Sequence, residues 1–229
     1  MKVSLVIPVL NEEKYIEKCL ESVMNQVEEP DEVIVVDGGS TDKTLEILKK
    51  FPVRVESAKK GTTHGRNKGF DLAKGDIIAR CDADDVLPKD WIKRIKKKFQ
   101  EKDIDALTGT VIFHDSPCRI FRSTFLPNLY LRIMWFLHGF NNTIAGPNMA
   151  ITKSMWEKVK PHVCMDDNKV HEDVDLAIHI GKAGGKIGRD LGIIVQSSSR
   201  RIHENPKSFY IDYPIRFLKM FFAHLGKKN

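Results

Sequence analysis

The sequence predicts an α/β protein: a mostly parallel sheet with helices on both faces, a mixed second half, and an amphipathic C-terminal helix. Three observations carry that expectation. β-Branched apolar runs alternate with segments of helical periodicity over roughly the first 100 residues, and the links between them are short. After residue 100 the rhythm changes, and strand-like runs are separated by a basic, aromatic stretch. The chain closes on "SFYIDYPIRFLKMFFAHLGKK", apolar on one helical face and basic on the other.

"VSLVIPV" (3–9) is a continuous apolar run, as in a strand buried on both faces. "NEEKYIEKCLESVMNQ" puts Tyr15/Ile16, Cys19/Leu20 and Val23/Met24 on one helical face, with Asn11 as the expected N-cap. "EVIVVD" (32–37) is the second strand and "STDKTLEILKKF" the second helix. "VRVES" (53–57) is a short third strand, and "THGRNKGFDLAKG" a helix closed by Gly75. "DIIARCDADD" is the fourth strand, and Pro88 opens a basic helix through Phe99. Strands are then expected at 104–113, 146–152 and through "KIGRDLGIIVQ", with helices at "KSMWEKV" and at 171–184, ending in Gly184-Gly185. No linker interrupts the chain. It reads as one domain, 1–229, with two functional halves (1–100 and 101–199) and a basic amphipathic tail (200–229).

At 41% hydrophobic and 30% charged residues the composition is that of a folded protein with a sizeable core. Four cysteines, Cys19, Cys81, Cys118 and Cys164, show no CxxC spacing, which argues against a zinc site and against a disulfide framework. The N-terminus reads as a first strand rather than a signal peptide, and no run approaches the ~18–20 apolar residues of a membrane span. A cytoplasmic protein, or one held at the inner face of the cell membrane, is expected. The net charge of +6 is clustered in "KRIKKK" (93–98), in 119–138, and in a tail with seven Lys/Arg from Arg200 onward. Such patches suit an anionic membrane, a phosphorylated substrate or nucleic acid. No nucleic-acid motif accompanies them, so no nucleic-acid partner is expected.

The chemistry concentrates where the strands end. In open parallel sheets ligands bind beyond the carboxyl ends of the strands. Strand one leads to Asn11-Glu12, strand two ends at Asp37 before two glycines, and strand four runs into Asp82, Asp84 and Asp85. Asp37 alone could be a turn residue, and one acid of the triplet could cap a helix. Three crowded carboxylates repel one another and call for a cation. Mg²⁺ or Mn²⁺ held by one or two carboxylates and substrate phosphates meets that need.

"SLVIPVLNEEKYIEKCLESVMNQ", "EVIVVDGGSTDKT", "GRNKG", "GDIIARCDADDVLPKDW", "GPNMAI" and "HEDVDL" occur in an order that resembles the family 2 glycosyltransferases. These are inverting enzymes of GT-A fold that use nucleotide-diphosphate sugars. The resemblance covers roughly residues 1–195. It implies that Pro8 and Glu12 lie near base and ribose, that Asp37 accepts from the base, and that Arg66 approaches the diphosphate. Asp84 would bind Mn²⁺ or Mg²⁺, with Asp82 near ribose or metal and Asp85 supporting the site or capping the next helix. Many relatives carry a second Asp where this chain has Gly38, so the base contact falls to Asp37 alone.

By the same resemblance Glu172 and Asp173 form the catalytic pair, with Asp173 as base; Asp175 competes, and ordinary acidity at a helix start is the plain alternative. His203 is a candidate late metal ligand, and Arg200 and Arg201 are candidates for the diphosphate. The implied activity is metal-assisted single displacement of a sugar, most simply a hexose, from a UDP- or GDP-linked donor to an acceptor hydroxyl. The aromatic residues beside arginines at 119–140 and in the tail suggest a monotopic membrane surface and a lipid-linked or other glycan acceptor. The alternatives are a sugar-phosphate nucleotidyltransferase, disfavoured because "IPVLNEE" lacks a Gly-rich, Arg-containing loop, and a non-catalytic nucleotide-sugar or nucleic-acid binder.

Overall fold

The computed structural model describes residues 1–117, 119, 122–125, 129, 144–166, 171–200, 204, 207 and 215. Within them the chain alternates β1 (Val3–Val9), α1 (Ile16–Met24), β2 (Glu32–Asp37), α2 (Thr44–Leu48), β3 (Arg54–Ser57), α3 (Thr62–Leu72), β4 (Ile77–Arg80) and α4 (Trp91–Glu101). β5 (Ala106–Phe113) follows, then a 3₁₀ turn (Gly146–Asn148), β6 (Met149–Thr152), α5 (Lys153–Val159), α6 (Glu172–Lys182) and β7 (Ile187–Ser197). One seven-stranded sheet runs in the order β3-β2-β1-β4-β6-β5-β7. Only β6 runs against its neighbours β4 and β5, which makes the sheet mixed on the side that the change of rhythm marks.

Side chains of β1 alternate between two cores, as a period of two requires. Leu5 and Ile7 pack with Ile16, Leu20, Trp91 and Ile95 from α1 and α4. Val6 packs on the other face with Phe70, Trp156, Leu176 and Ile180 from α3, α5 and α6. Trp91 and Trp156 are almost wholly buried, and burying a large apolar side chain stabilises the fold by about 1.5–3 kcal/mol. Both indole N–H groups are satisfied, by Asn148 Oδ1 and by Asp71 Oδ1, each at 2.9 Å.

Several ends differ from expectation. Asn11 does not cap α1, which begins at Ile16. It takes a left-handed conformation (φ 55°), a region Asn tolerates because its side chain bonds locally. Asn11 Oδ1 accepts the Thr41 N–H at 2.8 Å and its own N–H donates to Ser40 Oγ at 2.9 Å, which fastens the exits of β1 and β2 together. Gly75 does not close α3, which stops at Leu72. Gly75 is needed instead for a close approach to β1, since a Cβ there would lie 2.7 Å from the Ser4 nitrogen. Gly184 (φ 77°) ends the helix at 172–182 as expected. The aromatic segment 119–140 and the tail beyond Arg200 lie almost entirely outside the described residues.

Candidate active site

The carboxyl ends of β1, β2 and β4 open into a cavity of 390 Å³ lined by Pro8, Glu12, Gly38, Lys60, Gly61, Thr62, Gly65, Asp82, Asp84 and Arg200, among others. The α3 N-terminus reaches this wall because its glycines remove side chains where helix meets strand. A Cβ on Gly65 would stand 3.1 Å from Pro8 Cβ, and one on Gly69 only 2.2 Å from Val6 Cγ1. The "GRNKG" stretch is therefore a packing surface first, a G-x-x-x-G spacing on one helical face.

The three acids after β4 separate by environment. Asp85 is fully buried, and its Oδ2 accepts the Asp82 N–H at 2.6 Å. Burial, with Asp82 and Asp84 beside it, pushes its carboxyl well above the usual range. That environment favours the neutral form of Asp85, whose Oδ2 holds the turn, while Asp82 and Asp84 face the cavity. It does not cap α4, whose N-cap is Asp90.

Both facing acids meet guanidinium groups. Asp82 Oδ1 accepts from Arg80 Nη2 at 2.8 Å. Asp84 Oδ2 lies 3.3 Å from Arg200 Nε. Arg200 also donates to Glu12 Oε1 and lies 4.5 Å above the Tyr15 ring, a cation–π contact. Asp82 and Asp84 supply hard oxygen donors on one cavity wall, chemistry that fits Mg²⁺ or Mn²⁺. Among the described residues no three metal-ligating side chains converge, which leaves coordination positions that substrate phosphate oxygens could fill.

Behind this wall lies a second acid–guanidinium group. Arg80, at the end of β4, also donates through Nη1 to Glu172 Oε1 at 2.9 Å. Arg66 donates through Nη1 to the Glu172 carbonyl and through Nε to Asn67 Oδ1 at 2.8 Å. Burial would raise the Glu172 carboxyl, but Arg80 and Arg66 hold it down at about 2. Burial also pulls Arg80 down; Asp82 and Glu172 outweigh it and keep Arg80 above its ordinary value. Arg66, wholly buried, falls to about 10. Asp173 moves the other way: burial and the Glu172 charge push it up to about 6. Its Oδ2 accepts from the Gly146 N–H at 3.2 Å and its Oδ1 from the Val174 N–H at 2.8 Å. Two neighbouring acids thus acquire opposite tendencies, one fixed as an anion and one poised to exchange a proton.

Of the expected site residues, Pro8, Glu12, Asp82, Asp84 and Arg200 share the cavity. Asp37 is absent from its lining. Its carboxylate is committed to the N–H groups of Gly39 (3.0 Å) and Ser40 (3.0 and 3.2 Å), the turn role. Arg66 is drawn inward by the Glu172 end of α6: it is fully buried and is not among the residues that line the cavity. Asp175 is also set apart, since its buried Oδ2 accepts the Cys164 N–H at 2.8 Å. Arg201 and His203 lie outside the described residues.

Sequence reasoning missed Arg80, Gly146 and the Lys60-Gly61-Thr62 corner. An arginine in the otherwise apolar run "DIIAR" was the available signal for the first. The basic cluster of α4 proves largely paired: Lys96 with Glu28 and Asp31, Arg94 and Lys98 with Asp190, Lys97 with Glu101.

The sequence pattern described as glycosyl transferase family 2 matches residues 4–159. The chain is 35% identical over 120 residues to Glycosyltransferase GlyG of Streptococcus pneumoniae serotype 4, an overlap of 49% of this chain and 40% of that protein. Its structure is similar to that of the mannosyltransferase PcManGT from Pyrobaculum calidifontis in complex with GDP-Man and Mn²⁺ (TM-score 0.76, 20% identity, 100% of this chain and 65% of that one). It is also similar to TarS 1–349 of S. aureus in complex with UDP-GlcNAc (TM-score 0.68, 21% identity, 94% of this chain and 65% of that one). The chain spans less than two thirds of the length of each of these relatives.

Proposed function

Because the chain belongs to glycosyl transferase family 2 and has its GT-A fold, we propose that it transfers a sugar from a nucleotide-diphosphate donor to an acceptor hydroxyl with inversion. The observation that carries this reading is the linkage of the acid-lined cavity, through Arg80, to Glu172 and its neighbour Asp173, which is half-buried and raised to about 6.

The donor nucleotide would lie along Pro8, Gly38 and Glu12, with Asp37 holding the turn that forms the wall. Lys60 and Arg200 would offer positive charge to the diphosphate, and the amide N–H groups at the start of α3 would offer hydrogen bonds. Asp82 and Asp84 would hold Mn²⁺ or Mg²⁺, which when bound neutralises charge on the departing diphosphate. The mannosyltransferase and TarS complexes with GDP-Man and UDP-GlcNAc support a nucleotide-sugar donor without choosing the base.

Transfer is then a single displacement. The acceptor oxygen bonds to the anomeric carbon as the bond to the diphosphate oxygen breaks, and the acceptor proton passes to Asp173. Glu172, held ionised by two arginines, keeps Asp173 basic enough to take that proton. A lipid-linked or membrane-proximal acceptor is part of this proposal, supported by the aromatic and basic composition of 119–140 and of the tail.

A screen of UDP- and GDP-sugars for Mn²⁺-dependent release of nucleoside diphosphate tests the reading. Asp84→Asn is expected to lose metal-dependent donor binding. Asp173→Asn is expected to keep donor binding and to lose turnover by about 10²–10⁴-fold. Wild-type protein that releases no diphosphate from any donor, and takes up neither Mn²⁺ nor nucleotide in calorimetry, would sink it.

A further inference from the structure

We infer that Arg80 is a positioning residue for the transfer step, a single guanidinium that sets the separation between the donor-side acid Asp82 and the acceptor-side pair Glu172-Asp173. The inference rests on the transferase reading above. Arg80 ends β4, and its side chain is 1% exposed. Its two terminal nitrogens are divided between the two halves of the chemistry: Nη2 to Asp82 Oδ1 at 2.8 Å, Nη1 to Glu172 Oε1 at 2.9 Å. A guanidinium is planar, and its donors diverge at fixed angles. Two carboxylates bound to one such fork cannot change separation without breaking a charge-assisted hydrogen bond.

Arg80 is itself held on the side of the base. A Cβ on Gly146 would stand 3.1 Å from Arg80 Nη1, so the backbone there lies directly against the guanidinium. The N–H of that same Gly146 donates to Asp173 Oδ2 at 3.2 Å. Arg66 supports the other side by donating to the Glu172 carbonyl. Asp82, Glu172 and Asp173 are therefore all referenced to one group, although they come from a strand end and a helix start far apart in sequence. Buried ion pairs are weak devices for stability, since desolvation offsets most of their attraction. Their use here is placement: a misfit of about 1 Å between reacting groups can cost about 10²-fold in rate.

The test is Arg80→Lys, which keeps a charge but has no planar fork to span two acids. With a donor that the wild type turns over, kcat is expected to fall about 10- to 100-fold. Calorimetric affinity for UDP or GDP with Mn²⁺ is expected to fall much less than kcat does, because Asp84, Lys60 and Arg200 still line the cavity; that split in readouts separates positioning from general disruption. In a double-mutant cycle, Glu172→Gln added to Arg80→Lys should cost much less than Glu172→Gln costs alone. Unchanged kcat in Arg80→Lys, or multiplicative effects in the cycle, overturns the Arg80 role and leaves the transferase reading standing. Failure of the wild type to turn over any donor overturns both. Should Arg80→Lys not fold, Gly146→Ala, whose Cβ would stand 3.1 Å from Nη1 and press the guanidinium aside by a few tenths of an ångström, is expected to lower kcat more than nucleotide affinity, and unchanged kcat there overturns the inference.

Discussion

As the proposed base, Asp173 makes a prediction through its protonation. A base with a pKa near 6 is active only when ionised. The rate of the chemical step should therefore rise with pH through about 6 and level off above it, measured as kcat against pH at saturating donor. Stability should run the opposite way. The folded state holds this proton more tightly than the unfolded chain, whose carboxyl titrates near 3.8. The favourable contribution is complete below about 4 and is lost as the pH rises through about 6. At pH 8 Asp173→Asn should accordingly melt no lower than wild type while turning over far more slowly. A lower melting temperature would mean that the carboxylate stabilises the fold rather than being tolerated for function. The Asp85 carboxyl also rises on burial, but its Oδ2 faces the Asp82 N–H within the turn, so it supports rather than reacts. Motif spacing alone could not distinguish the two.

Among the elements, α3 has the tightest constraint. It lies against β1 because positions 65 and 69 carry no side chain. Gly69→Ala would force a methyl to within 2.2 Å of Val6 Cγ1, and overpacking of this kind costs about 1–3 kcal/mol or more. The expected result is a lower urea midpoint with an unchanged slope; an unchanged midpoint would show that the helix can move away freely. Helix periodicity put α1 and α4 in the right places, because each has an apolar stripe that the sheet must cover, whereas α3 buries Gly65, Gly69 and Phe70 beside polar side chains. Their ends were less legible. Asn11 looks like a cap, yet its best partners lie across the rim on the next loop. Gly75 looks like a helix stop, yet what it avoids is a strand. Local chemistry names residues able to do a job, and neighbours distant in sequence decide which job is done.

On the scale of the whole molecule, the net charge of +6 is less available than its clusters suggest, since most of the basic face of α4 is paired with acids. Attraction to an anionic surface would then have to come mainly from 119–140 and the tail. Among the described residues no helix is long and apolar enough to cross a membrane. Sedimentation with anionic vesicles at low ionic strength, weakening as salt is added, is the expected outcome of the proposed peripheral association. Protein left in the supernatant under those conditions would refute it.

The sequence by itself determined the alternating half of the sheet, the family, and the acids that line the cavity, because strand and helix periods and ordered motifs are local patterns. Only the tertiary structure decided that Arg66 turns inward, that Asp37 is spent on its own turn, and that Arg80 joins Asp82 to Glu172. The reason is electrostatic and long-range: where a buried guanidinium goes depends on which carboxylates the folded chain brings within a few ångströms of it, and no spacing along the sequence records that.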